Sequence, residues 1–190
     1  MSKKKRVNPN KVPIPKDSFN LQDLLTEATT YNVYLAWLLV LGAMADYYDT
    51  TTEQLLQIWH TVNKYSLTIK SYEGVSPNLK EVDRVLGRSL PHKNVSTEGI
   101  KTQGDLDKLK RRLHRNAMYA GFSIIAYPLI SEKLLDEDRI KAVFDRAYAR
   151  DEDVYDNLYS LSDIEAVLAD EYGLLLTFED NNTHLQQLNT

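Results

Sequence analysis

Residues 28–45 read A-T-T-Y-N-V-Y-L-A-W-L-L-V-L-G-A-M-A, eighteen residues without a formal charge. Such a run is either a membrane span or the central helix of a helical domain. A spanning helix needs about 20 predominantly apolar residues, and this window contains Thr29, Thr30 and Asn32. A fainter uncharged run follows at 116–130, N-A-M-Y-A-G-F-S-I-I-A-Y-P-L-I. Two such helices can bury each other, whereas lipid insertion would strand the amphipathic helices around them. The expectation is an all-α protein with no membrane segment.

Composition points the same way. A chain of 190 residues forms one domain or two small ones with a real core. Its 43% hydrophobic and 26% charged residues are those of a globular protein. Seven Gly and six Pro favour long helices over a many-turned sandwich. The absence of Cys excludes a disulfide framework, a thiolate zinc site and a Cys nucleophile, and an intracellular protein is the simplest reading. Lys3, Lys4, Lys5 and Arg6 precede Asn8, Pro9 and Asn10 rather than an apolar run, unlike a secretory signal.

The net charge of -4 conceals a polarity. Residues 1–16 hold six basic residues and no acidic one, whereas 151–190 hold ten acidic residues and no Lys or Arg. Between them lies a second basic cluster, Lys108, Lys110, Arg111, Arg112 and Arg115.

Residues 1–20 read as a basic arm, because Pro9, Pro13 and Pro15 rule out a helix. It is either a solubilising tail or an arm that lies on phosphate or on an acidic protein face. A first helix is expected from Asn20 to Ala45. Thr50 with Glu53, or Thr51 with Gln54, can form a capping box for a second helix carrying Leu55, Ile58, Trp59 and Val62. Glu73 and Gly74 break it. Ser76 and Pro77 then open a short helix with Leu79, Val82, Val85 and Leu86, closed by Gly87. Residues 88–104, with Pro91, Gly99 and Gly104, form the expected linker. A helix from Asp105 should be ended or kinked by Pro128. Asp136 caps the next helix, bearing Ile140, Val143, Phe144 and Ala147, and Ser160 or a Ser162/Glu165 box opens the last, bearing Leu161, Ile164, Val167 and Leu168. Gly173 closes it. Leu174, Leu175, Leu176 and Phe178 pack as an extended segment, and within the C-terminal tail, 177–190, the last twelve residues read as loose or weakly helical.

The offsets between matched residues suggest a duplication. Asn32 pairs with Asn116, Ala36 with Ala120 and Leu41 with Ile125, all 84 apart. The second-helix residues 55, 58, 59 and 62 match 140, 143, 144 and 147 at an offset of 85, and the third-helix residues 79, 82, 85 and 86 match 161, 164, 167 and 168 at 82. The offset changes only across loops, where insertions are absorbed. The fold expected is therefore two similar three-helix units, 21–87 and 105–176, packed through their long apolar helices.

Catalytic and metal motifs are sparse. His60, His92, His114 and His184 share no helical spacing, and the acidic run Asp151, Glu152, Asp153 and Asp156 lacks the Gly and Glu of a calcium loop, reading instead as a solvated acidic turn. No Gly-rich phosphate loop or G-x-S-x-G occurs. No cofactor, no metal and no enzymatic activity are expected. Lys108, Arg111, Arg112 and Arg115 share one broad helix face, either a solvated face or a phosphate-contacting one. In the acidic tail, Asp151, Glu152, Asp153, Asp156 and Asp163 are interleaved with Tyr148, Tyr155, Tyr159 and Tyr172. Carboxylates beside aromatic rings can occupy a basic groove on another protein.

The opening K-K-K-R-V-N-P-N-K-V-P (Lys3–Pro13), the helix L-L-Q-I-W-H-T-V-N (Leu55–Asn63) and the close D-E-Y-G-L (Asp170–Leu174) resemble small, functionally uncharacterised phage and prophage proteins of Gram-positive bacteria, here in doubled form. The resemblance implies a phage or prophage origin and an accessory role in a bacterial cytoplasm. The expected function is a non-enzymatic protein that engages a host protein or nucleoprotein, as a counter-defence inhibitor does. Its contact would be the acidic face Asp151, Glu152, Asp153, Asp156 and Asp163 with Tyr155 and Tyr159. The alternatives are a nucleic-acid-binding accessory protein using Lys3, Lys4, Lys5, Arg6, Lys108, Arg111, Arg112 and Arg115, and a self-associating assembly component.

Overall fold

α2 (Asn32–Tyr47) is apolar on nearly all sides, and a helix of that kind must be buried. Trp37, Leu38, Leu39, Val40, Leu41 and Ala43 are each at most 1% exposed. The stretch Gln22–Asp46 has the length and composition of a membrane span, yet its central side chains are covered by protein all round. The computed structural model describes residues 11–14, 20–30, 32–47, 50–66, 79–89, 96–180 and 182–188.

Three later helices cover α2: α5 (Gln103–Ser131), α6 (Glu137–Tyr155) and α7 (Leu161–Tyr172). α3 (Thr52–Ser66) packs on α5, and α4 (Leu79–Leu86) packs on both α5 and α6. The two long helices meet closely at Gly121, where a Cβ would stand 2.9 Å from the Asn32 carbonyl oxygen and 3.0 Å from the Ala36 Cβ. There the Asn32 side-chain amide donates to the Ala117 carbonyl at 3.0 Å, so the buried approach carries a satisfied polar bond. Aromatic pairs fill the centre, Trp37 with Trp59 at 4.6 Å and Phe122 edge-on to Phe144 at 5.8 Å. A smaller cluster of Leu24, Leu109 and Leu113 holds α1 (Leu21–Thr29) against the first half of α5.

Helix ends follow the local chemistry. Thr51 and Gln54 form a reciprocal box before α3, as Thr102 and Asp105 do before α5. Asp136 and Ser160 cap α6 and α7, and Gly173 ends α7 in the left-handed region, at φ 61°.

Several elements differ from the sequence expectation. The helix expected over 20–45 is two helices, α1 and α2. Thr26, Thr29 and Thr30 all turn their hydroxyls onto carbonyls four residues back, a competition that weakens a helix. α5 continues through Pro128 to Ser131. Pro128 forfeits its own backbone hydrogen bond three residues before the helix ends, and its ring is buried. The run Asp151–Tyr155 is the last turn of α6 rather than a solvated turn, and Asp151 is buried. Residues 11–14 pair with the start of α5: the Gln103 amide donates to Val12 and the Ile14 amide to Lys101, so the atoms flanking Pro13 carry the bonds it cannot make.

The largest departure from an all-α chain is at the end. The protein is mostly helical, but β1 (Leu174–Glu179) and β2 (Asn182–Gln187) form an antiparallel hairpin, with Leu174 opposite Gln187 and Glu179 opposite Asn182. Leu174 and Leu176 are buried while Leu175 between them is exposed, the period of a strand. Asp180 reverses the chain at φ 52°, a conformation that Asp tolerates. The Glu73–Gly74 break, the Ser76 and Pro77 start, and Pro91 lie outside the described residues.

Candidate functional site

α5 and α6 are antiparallel neighbours joined by a short turn, so the basic face of α5 comes to lie against the acidic end of α6. The Arg115 guanidinium donates twice to Glu152, Nε at 2.9 Å and Nη2 at 3.0 Å. Arg111 pairs with Asp156, and its Nη1 is 3.8 Å from Glu152. His114 Nε2 is 2.8 Å from Asp151, whose side chain is 4% exposed. Tyr155 lies among them, its ring 4.7 Å from the His114 ring and 4.8 Å from the Arg111 guanidinium carbon. Burial raises the Tyr155 phenol, and Arg111 acts in the opposite direction. Glu152, as hydrogen-bond acceptor, raises the Arg115 guanidinium.

The residues expected on two separate surfaces thus neutralise each other. Glu152, Asp156, Arg111 and Arg115 are partly exposed, and each such pair contributes about 0–1 kcal/mol. The His114–Asp151 contact differs, because its carboxylate is buried. Removing the imidazole strands that carboxylate, and His114→Ala is expected to cost about 2–3 kcal/mol. Lys108→Ala should change stability by less than about 0.5 kcal/mol. Urea unfolding of both variants measures the difference.

The remaining expected site residues separate into two groups. Tyr159 is half-buried against the core, 5.6 Å from the Arg150 guanidinium, and is occupied structurally. Lys108 and Arg112 are exposed on α5 and form no ion pair among the described residues, although Lys108 helps to hold Asp105 below the usual carboxylate range. The Thr102 hydroxyl is the larger cause of that shift, followed by the Lys101 amide. Lys3, Lys4, Lys5 and Arg6 lie outside the described residues. Asp153 and Asp163 are exposed and their carboxylates have no partner among the described residues.

Sequence reading passed over further carboxylates of the same kind. Asp170 and Glu171 at the end of α7, and Glu179 and Asp180 at the hairpin tip, are exposed and unpaired as well. No Lys or Arg follows Arg150 in the sequence, and no ion pair engages these carboxylates among the described residues. Reading also missed Arg150, which is 7% exposed and pairs with Asp46 near the exposed end of α2. No spacing in the sequence connects those two residues. Among the described residues, no group of three or more His, Asp or Glu is placed to hold a metal ion. Tyr155 borders two hollows of about 340 and 160 Å³, one toward Thr102 and Lys108 and one toward Leu24 and Lys110. The arrangement pairs Arg111 and Arg115 with α6 carboxylates, while α7 and the hairpin carry exposed carboxylates. Comparison with protein-family models, curated proteins and solved structures yields no match to this chain.

Proposed function

We propose that this chain is a non-enzymatic binding protein of phage or prophage type, acting in a bacterial cytoplasm. It engages a host protein or nucleoprotein through its acidic C-terminal face, in the manner of a counter-defence inhibitor. One observation carries this reading. Arg111 and Arg115 are engaged by α6 carboxylates, while Asp153, Asp163, Asp170, Glu171, Glu179 and Asp180 are exposed and have no ion-pair partner among the described residues. The contact surface therefore shifts from Asp151, Glu152 and Asp156 toward α7 and the hairpin. Such a face steers a basic partner and repels nucleic acid.

The same reading includes a tandem duplication. α3 and α6 begin at Thr52 and Glu137, and α4 and α7 at Leu79 and Leu161, offsets that match the sequence repeat. The contacts are reciprocal: α2 packs on α6 and α7, and α5 packs on α3 and α4. Each unit thus lends its apolar helix to the other, which supports a common ancestry of the halves and a core that excludes lipid.

A pull-down from nuclease-treated bacterial lysate tests the function. The wild-type chain is expected to retain a basic protein that the Asp163→Asn/Asp170→Asn/Glu171→Gln variant loses. Retention that disappears with nuclease, or that ignores the three substitutions, contradicts the reading.

A further inference from the structure

β2 pairs with β1 on one side only. The Leu188 amide donates to the Gly173 carbonyl at 2.7 Å, which makes that opposed couple a hydrogen-bonded one. Couples alternate along an antiparallel ladder, so Thr183, Leu185 and Gln187 aim their N–H and C=O groups away from β1. Among the described residues, no hydrogen-bond partner meets them there, although β2 also packs on α2.

An open edge of this kind is ordinarily blunted by charge, proline or a bulge. β2 reads N-T-H-L-Q-Q, without Lys, Arg, Asp, Glu or Pro, and its register to β1 runs unbroken from Leu174 to Glu179. The formal charges that adjoin it along the chain are of one sign. Glu179 and Asp180 stand at its tip, and Asp170 and Glu171 end the helix that leads into the hairpin.

We propose that the β2 edge, Asn182–Gln187, accepts an extended Lys- or Arg-bearing segment of a partner protein as a third strand. Backbone hydrogen bonds would hold it, with the surrounding carboxylates selecting its charge. A second copy of this chain is the less suitable occupant, because it would set like carboxylates against each other. The proposal rests on the acidic-face reading and specifies how that face is used.

The probe is a capped octapeptide of alternating Lys and Thr, titrated against the full chain. On adding it, the amides of Thr183, Leu185 and Gln187 should gain at least tenfold protection from hydrogen exchange. N-methylation of alternate residues should weaken the peptide at least tenfold, and so should Thr183→Pro. That proline removes an outward N–H, and unchanged protection of Leu175 and Thr177 confirms that the hairpin remains. Asp170→Lys/Glu171→Lys should also weaken binding.

If the N-methylated peptide and Thr183→Pro bind as wild type does, while the charge reversal abolishes binding, strand addition is wrong and the acidic face stands. If the unmodified peptide does not bind, strand addition is likewise wrong, and the lysate pull-down judges the acidic face separately. Self-association that Thr183→Pro abolishes would place a second copy on the edge and overturn the proposal.

Discussion

Leu39→Asp is expected to unfold the protein. Leu39 is fully buried in α2, surrounded by the core that α5, α6 and α7 build. The substitution forfeits about 2–3 kcal/mol of apolar burial. It also places a carboxylate at a position that is 0% exposed in the core, at a cost of several kcal/mol more. The sum is comparable to the entire stability of an ordinary domain, about 5–15 kcal/mol. Leu175→Asp is the control, since Leu175 is 37% exposed and should lose less than about 1 kcal/mol. Circular dichroism through a urea titration separates the two. A folded, cooperative Leu39→Asp protein would mean that α2 is not the centre of the molecule.

Gly121→Leu is the second large effect, expected to cost about 3 kcal/mol or more. The first added carbon alone would stand 2.9 Å from the carbonyl oxygen of Asn32. A backbone atom cannot rotate aside as a side chain can, so α2 and α5 would have to separate. Separation would also break the bond from Asn32 to the Ala117 carbonyl. Gly121→Ala should already be destabilising, by about 1–3 kcal/mol, because overpacking begins with that carbon. Thermal melts of both variants, ordered Ala before Leu, measure the approach. A Leu variant as stable as wild type would contradict the close crossing of the two helices.

The helical elements were legible where local chemistry decides them. Asp136, Ser160 and Gly173 each act through atoms within a few residues of their own position, so sequence carries the signal. Residues 28–45 and 116–130 were legible as buried helices because they lack charge on every face. The division at Thr29 and Thr30 was less visible, because their hydroxyl bonds compete with an otherwise apolar pattern. The hairpin escaped notice for a different reason. L-L-L-T-F shows no alternation of polarity, since Leu175 is exposed and still apolar, and N-T-H-L-Q-Q is too polar to suggest a strand. The run E-D-N-N between them was a turn signal of the ordinary kind.

The charge pairing was also recoverable in principle. Arg111 and Asp156 lie nearly equally far from the turn at 132–136, as do Arg115 and Glu152. Folding the two helices back about that turn brings each cation to its carboxylate. Taken as separate clusters, the same residues suggested two opposite surfaces. The Arg150–Asp46 pair has no such relation and depends on tertiary packing alone.

Arg111 and Arg115, half of the basic face of α5, are engaged within the fold, which on the proposed function leaves the acidic surface to meet a partner. Titration of a short DNA duplex at physiological salt tests it most directly. Lys108→Glu/Arg112→Glu should leave the weak binding of the wild-type chain unchanged. Glu152→Gln/Asp156→Asn should release Arg111 and Arg115 and tighten binding by about tenfold, with a steeper salt dependence. Tight wild-type binding that Lys108→Glu/Arg112→Glu abolishes, and that Glu152→Gln/Asp156→Asn leaves unchanged, would contradict the claim.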